Sequence, residues 1–288
     1  MQTEIYTLAP TEFPPLLREI PDAPKQLYVR GALPSFEHKW LAVVGSRAIT
    51  SYGRQVVRHL IEGLRGYPIV IVSGLAYGID IESHKMALEV GLPTVSVPGS
   101  GLNWDVLYPR AHVNIAREIL KKGGALLSEF EPDMRATPYT FPQRNRIMAG
   151  LCHATLVVEA HEQSGSLITA RLTTEYNREL LVIPGSIFSK ESRGTHQFLK
   201  LGATPVTETA DILRALGIEE RTHDSNTPES RTDLSPEEIR VFEILSEPRS
   251  RDELIQALAT PVSETNILLS TMEIKGLITE ELGVIRIR

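Results

Sequence analysis

Seven times between residues 41 and 207 a short apolar run gives way to a stretch whose apolar positions recur every three or four residues. The runs are LAVVG (41–45), IVIVSG (69–74), TVSVPG (94–99), ALLSEF (125–130), ATLVVEA (154–160), LLVIPGS (180–186) and ATPVT (203–207). The stretches after them are SYGRQVVRHLIEGL, IDIESHKMALEVG, AHVNIAREILKKGG, QRNRIMAGL, SLITARLTTEYNREL, GTHQFLKLG and TADILRALG. The runs are continuous rather than alternating, which marks strands buried on both faces, and the intervening period is that of amphipathic helices. Repeated strand–helix units of this length predict an α/β fold: a doubly wound parallel sheet with right-handed crossovers. Ligands of such sheets bind beyond the C-terminal ends of the strands.

The flanks have a different pattern. Residues 1–40 hold six prolines and little periodicity, and read as a lead-in that packs on the core. The sheet domain is then residues 41–216. Residues 217–234 are polar without an apolar face and read as a linker. Residues 235–288 show three short helix patterns with Ser235, Ser250 and Ser263 at N-caps and Pro236 at a first helical position. Gly276 stops the third, and LITEELGVIRIR reads as a hairpin turning at Leu282-Gly283. Three helices and a hairpin make a small winged-helix domain.

Composition narrows the function classes. No run of eighteen apolar residues exists, and the N-terminus lacks a basic start and an apolar signal core, so a cytoplasmic location is expected. Cys152 is the one cysteine, which excludes an internal disulfide and a multi-cysteine zinc site. Its place is a small core residue at a helix end. The net charge of −6 argues against nucleic acid until the chain is divided. Residues 216–288 carry 15 acidic and 8 basic side chains, whereas residues 41–215 carry 16 and 18. The large middle segment is free to present a basic face.

The strand ends carry the candidate chemistry. Gly45, Ser46 and Arg47 follow the first run, Gly74 the second, and Gly99, Ser100, Gly101 and Arg110 the third. Arg144 and Asn145 follow the fourth, and Ser164, Gly165 and Ser166 the fifth. Backbone N–H groups and hydroxyls at helix starts suit anionic oxygens, and several such loops on one edge make an anion site. Arg144 and Arg146 stand at the predicted start of a helix, where cations oppose the helix dipole. Either a carboxylate such as Glu129, Glu131 or Glu159 or a bound phosphate must compensate them. No GxGxxG, no P-loop and no HExxH occurs, so a dinucleotide, an NTP and a zinc-protease site are unsupported. Ser46, Ser73, Asp80 and His84 lack the elbow a nucleophilic triad needs. No catalytic residue, metal or cofactor is expected.

Seven ordered motifs then point to a family. VVGSRAITSYG, IVSGLAYGIDIESHKMAL, VPGSGLNWDVLYPRAHVNI, LLSEFEP, FPQRNRIMAGLCHATLVVEA, SGSLITARLTTEYNREL and VIPGSI resemble the DprA/Smf family, DNA-processing proteins of bacterial natural transformation, from about Leu16 to Leu216. The resemblance implies an extended Rossmann fold that binds single-stranded DNA, dimerises and loads the RecA recombinase, without catalysis or cofactor. It implies a pocket lined by Arg47 and by Arg110, where the family often has lysine, with Arg144 and Arg146 on the same edge. Tyr77 stands where many members carry a cation. The tail resembles the family's winged-helix domain. Its third helix sets Glu264 and Glu273 against Lys275 alone, which favours a protein contact over DNA.

Further expectations follow. Trp104, Tyr108 and Tyr139 are candidate base platforms. Phe198, Leu199, Leu201 and Pro205 are expected at a homodimer interface. Residues two apart on a helix diverge by about 200°, so Arg144 and Arg146 must differ in role. Arg144 is assigned to phosphate and Arg146 to a carboxylate such as Glu159 or Glu129. The rival class is an enzyme, a nucleoside monophosphate phosphoribohydrolase-like Rossmann protein, but Thr169 stands where its catalytic glutamate belongs. A family member serving another DNA-handling pathway is a third reading.

Overall fold

The computed structural model describes residues 4–221, 234–245, 249–258, 260–281 and 283–287. They separate into two compact units, Met1–Glu220 and Arg221–Arg288. The first contains nine strands in one sheet: β1 (Ile5–Leu8), β2 (Leu27–Gly31), β3 (Lys39–Val44), β4 (Ile69–Ser73), β5 (Thr94–Ser96), β6 (Ala125–Ser128), β7 (Ala154–Val157), β8 (Glu179–Val182) and β9 (Thr204–Pro205). Its longer helices are α1 (Pro15–Arg18), α2 (Ser51–Gly63), α3 (Ile79–Val90), α4 (Val113–Lys121), α5 (Thr140–Leu151), α6 (Ser166–Glu175), α7 (Arg193–Lys200) and α8 (Thr209–Ala215).

The sheet order is β1-β2-β6-β5-β4-β3-β7-β8-β9, and β6 through β9 are parallel. This is the expected doubly wound sheet. Alternate residues of the buried strands feed opposite layers. Trp40, Ala42 and Val44 of β3 join a cluster with Leu17 of α1, Ile147 and Leu151 of α5 and Leu167 of α6. Leu41 and Val43 join Val57 and Leu60 of α2, Ile79 and Met86 of α3 and Ile212 of α8. Strands covered by helices on both faces gain nothing from polar residues on either, which is why their runs do not alternate. From β3 the chain works outward in one direction to β6, then returns to the middle and works outward from β7 to β9. The order therefore reverses between β3 and β7, whose ends lie side by side (Val44 opposite Val157).

Several expectations change. Residues 1–40 do more than pack on the core: β2 extends the sheet antiparallel to β6, and β1 pairs antiparallel to β2 at the edge. Proline spacing leaves room for strands of only four and five residues there, too short to show a period. Helix α5 begins at Thr140, so Arg144 and Arg146 stand beyond its first turn and the helix dipole weighs little on them. Cys152 is buried at the end of that helix, as expected. Phe198, expected at a subunit contact, is 7% exposed and fills the core against α7's own sheet face, with Leu199 packed partly behind it. Leu201, at 80% exposed, and the exposed Pro205 of edge strand β9 stay on the surface. Of the expected linker, 222–233 lies outside the described residues. Its start, Gly217 at φ +65°, closes α8 and lets Ile218 pack back on the core.

The second unit holds α9 (Pro236–Ile244), β10 (Arg249–Ser250), α10 (Arg251–Leu258), α11 (Val262–Ile274), β11 (Ile278–Glu281) and β12 (Val284–Ile287), with sheet order β10-β12-β11. It is a winged helix with its own core of Val241, Leu254, Leu269, Met272 and Ile285. Ser235 and Glu238 cap α9 reciprocally. Ser250 and Glu253 do the same for α10. Ser263 is not a cap: α11 starts one residue earlier, behind Pro261, whose carbonyl takes the Thr265 N–H at 3.0 Å. Gly276, at φ +70°, ends it, and Gly283, at +78°, lies in the hairpin turn. Leu282 lies outside the described residues.

Candidate nucleic-acid interface

A cleft of about 620 Å³ opens at the reversal between β3 and β7. The β3 end supplies Gly45, Ser46 and Arg47, the β7–α6 loop supplies Ser164, Gly165 and Ser166, and α5 with its approach supplies Pro138, Phe141, Arg144 and Asn145. Sheet topology alone brings these loops together, because only at the reversal do neighbouring strands send their connections to opposite faces.

The rims are tied to each other. The Ser46 N–H donates to the Glu159 carbonyl at 2.7 Å, and the buried Glu159 carboxylate accepts from the Thr50 N–H at 3.1 Å and from the Thr50 hydroxyl. Gly53 makes this possible, since a Cβ there would overlap the carboxylate. Asn145 reaches from α5 to the Gly165 carbonyl at 3.1 Å and accepts from Arg144 Nε at 3.2 Å. Ser164 and Ser166 share a hydrogen bond at 2.7 Å.

Two arginines line this cleft, and they differ. Arg47 is exposed, makes no ion pair among the described residues, and lies 5.0 Å from the ring centre of Phe141. Arg144 is only 4% exposed and donates to the Val97 carbonyl. Its guanidinium rests against Gly74, where no side chain would fit. Burial lowers its pKa to about 10, with Asp80 opposing that and Arg47 adding to it, so it is still a cation at neutral pH. Asp80, fully buried at the start of α3, accepts from the Gly74 N–H at 3.0 Å. Burial raises its pKa, while Arg144, the Ala76 and Gly74 amides and Arg47 pull it back. The Arg144 charge is thus largely answered from within, and Arg47 is the cation the cleft offers outward. Arg146, on the opposite side of α5, pairs with Glu129 and stands 3.8 Å from Asp22. Glu129 is therefore its carboxylate, and Glu159 is committed to Thr50.

The loop after β5 was expected in the pocket and lies outside it. The Gly101 N–H donates to the Met134 carbonyl at 2.8 Å, and Asn103 to Pro132 at 2.8 Å. Ser100 is fully buried, and its oxygen takes the Tyr108 N–H at 3.2 Å. Gly99 is the space into which Phe141 packs. These donors are consumed by a second loop, residues 131–134, that the sequence did not pair with them. Gly74, too, gives its N–H to Asp80 and serves as the seat of Arg144. Arg110 stands outside the cleft, exposed, with its guanidinium on the Trp104 carbonyl. Of the candidate platforms, Trp104 is covered by arginines, Tyr108 is 41% exposed with its ring 5.8 Å from that of Phe141, and Tyr139 is 81% exposed at the start of α5. Tyr77 is 46% exposed and meets His112 edge-on.

Among the described residues, no helix is long and apolar enough to cross a membrane, and no cluster of three or more His, Cys, Asp or Glu is placed to hold a metal ion. Residues 4–217 match the family model of DNA recombination-mediator protein A. The chain belongs to this family. Residues 225–283 match its DprA winged helix domain. Relatives include Protein Smf of Escherichia coli, 45% identical over 71% of this chain and 54% of that protein, so the chain spans about half the length of that relative. The structure of DNA processing protein A from Streptococcus pneumoniae superposes with a TM-score of 0.67 at 38% identity, over 73% of this chain and 74% of that one. That of DNA processing protein A from Helicobacter pylori, solved for its single-stranded DNA binding mode, gives 0.65 at 29% identity, over 75% and 98%.

Sequence reasoning missed two residues of this family member's cleft. Phe141 had a visible signal, the aromatic–proline pair immediately before the two arginines. Asp80 had none: Gly74 lies six residues before it, in the loop leading into α3, but Arg144, the cation it faces, comes from a helix far away in sequence.

Proposed function

We propose that this chain binds single-stranded DNA in the cleft between β3 and β7 and hands it to a RecA-type recombinase during natural transformation. The observation that carries the reading is Arg47, an exposed cation with no ion pair among the described residues, held beside the half-buried ring of Phe141 in the cleft. Phosphate meets the guanidinium and a base meets Phe141, an arrangement indifferent to base identity. Ser46 and the Ser164–Ser166 loop line the remainder. No helix of the first unit is offered to a duplex groove, so single strands are preferred to duplex. Membership of the family and the Helicobacter pylori relative support this reading.

The protein works without bond chemistry: Asp80, the buried carboxylate of the cleft, is engaged by the amides of Gly74 and Ala76, and Thr169 is not an acid–base group. It acts in the cytoplasm as a homodimer whose contact centres on Leu201 and Pro205. The winged helix contacts protein rather than DNA. Titration of fluorescent oligonucleotides, single-stranded and duplex, with the native chain and Arg47→Ala tests the reading. Tighter binding of single strands that falls at least tenfold in the variant supports it, and equal affinity for duplex overturns it. Deletion of the coding sequence should lower transformation frequency, and purified protein should release no base from nucleoside monophosphates.

A further inference from the structure

A second group of cations lies outside the cleft without carboxylate partners. Trp104, in the loop between β5 and α4, has the guanidinium of Arg30 from β2 4.5 Å from its ring centre and that of Arg117 from α4 at 5.2 Å. Arg110 donates to the Trp104 carbonyl. Three cations from three different elements are thus gathered on one residue. None of them makes an ion pair among the described residues. Arg30 is 8% exposed, and its Nε is buried without a hydrogen-bond partner. Burial lowers its pKa, and no carboxylate opposes that shift.

Like charges gathered around a part-buried ring repel one another, and the indole face offsets only a fraction of that. Elsewhere in this unit the half-buried arginines are answered: Arg146 by Glu129, and Arg178 by Glu19 at 2.8 Å. The Trp104 group has no such answer among the described residues. It is also joined to the cleft. Arg47 lies beside Phe141, Phe141 touches Tyr108, and Tyr108 is followed directly by Pro109 and Arg110.

We propose that Arg30 and Arg117, assembled on the ring of Trp104, form a second phosphate subsite for the strand whose neighbouring nucleotides occupy the cleft. The proposal rests on reading the cleft as the single-stranded DNA site. Trp104 is then a positioning residue: its ring holds the arginines and takes no base. The strand leaves the cleft across Tyr108 and places its next phosphates on the cluster. The cleft offers one outward cation, and a polyanion held at physiological salt needs several.

The test compares oligothymidylates of about six and about fifteen nucleotides, a span that separates one subsite from both. Arg117 is exposed, so Arg117→Gln keeps the fold; Arg30→Gln, whose melting temperature is checked first, is the second variant. The expected result is that Arg117→Gln binds the short strand like the native chain and the long strand several-fold more weakly, with a salt slope lower by about 0.7 for the long strand only. Unchanged affinity for the long strand in both variants overturns the proposal. Equal loss on both lengths also overturns it, because the arginines would then act on the cleft or the fold. Arg47→Ala, run alongside, weakens the short strand if the cleft reading holds. A long-strand defect in Arg117→Gln with a short strand insensitive to Arg47 keeps the subsite and discards the cleft. If tripolyphosphate alone discriminates native from Arg117→Gln protein and DNA of either length does not, the cluster serves a free anion and the proposal falls.

Discussion

The strand-end edge of the first unit and the third helix of the winged helix are both places where a DNA-binding protein would be expected to show its cations, and they treat them in opposite ways. Directly after α11, Lys275 gives its ammonium to Glu238 at 2.8 Å. Arg251, on the preceding helix, is bound to Glu280 and Asn266. What α11 leaves outward is Glu264 and Glu273 with Val262, Ile267 and Ile274, the last 87% exposed. In the first unit Arg47, Arg110 and Arg117 are exposed and make no ion pair among the described residues. The tally of charges per domain, which favours the first unit only slightly, understates this contrast. Affinity for a polyanion follows the cations a fold leaves unpaired, since one already neutralised by a carboxylate displaces few counterions from the phosphates.

Four experiments break or sharpen this contrast. The largest effect is expected where a cation of the edge is buried. Arg144→Ala removes the charge that answers Asp80 and should destabilise the first unit by about 3–5 kcal/mol, read as a lower melting temperature. An unchanged melting temperature would return Arg144 to the outward set. The next largest is pH-dependent. His84 is fully buried, bonded to Thr94 at 2.8 Å, and desolvation lowers its pKa to about 3, with Arg144 and His112 adding to that. The unfolded chain therefore takes up this proton first. The stability is complete above about pH 6.5 and is lost progressively as pH falls toward 3, about 2–3 kcal/mol by pH 4.5. Asp80 and Glu129, with raised values, act in the opposite sense, so the comparison is with His84→Gln, whose profile should be flatter through that window. In the winged helix, Glu238 is held low by Lys275 and the Ser235 amide, so its contribution survives until pH drops below about 4.5.

The third is Arg47→Ala: a tenfold loss of single-strand affinity, about 1.4 kcal/mol, with melting little altered because the side chain is exposed and makes no ion pair among the described residues. The smallest concerns the winged helix. Removing residues 222–288 should leave single-strand affinity within about twofold. Glu264→Lys with Glu273→Lys should give the full chain a measurable added affinity for duplex, with a salt slope steeper by at most about 0.9 per lysine. A large loss on truncation would erase the contrast altogether.

The fold was legible wherever burial forced a continuous apolar run. Strands β3 to β8 were readable because both their faces meet helices, and the loops gathered at the reversal followed from topology. The short β1 and β2 were not legible, because four or five residues between prolines show no period. At the site, Arg47 could be placed from its position directly after a strand, and the opposite duties of Arg144 and Arg146 from their angular spacing. The Arg146–Glu129 pair was legible from the sequence; that Arg144 is buried as well was not. That depended on Gly74 and Asp80 forming a buried seat, and no local pattern announces a seat built from three separate segments. The loop after β5 misled for the same reason: Gly101 looked like a donor to a ligand and donates to Met134.

The Glu159 tie has a consequence for how a ligand is received. A doubly wound sheet is two half-sheets meeting at a crevice, and a crevice is free to hinge. Here a carboxylate from one half grips the first turn of the helix on the other, the Ser46 amide adds a main-chain bond across the same line, and Gly53 keeps the passage clear for it. The opening has its width before any strand arrives. Capture then carries little ordering cost on the protein side, and its rate should follow ionic strength and viscosity, the marks of an encounter limited by diffusion and charge rather than by a rearrangement.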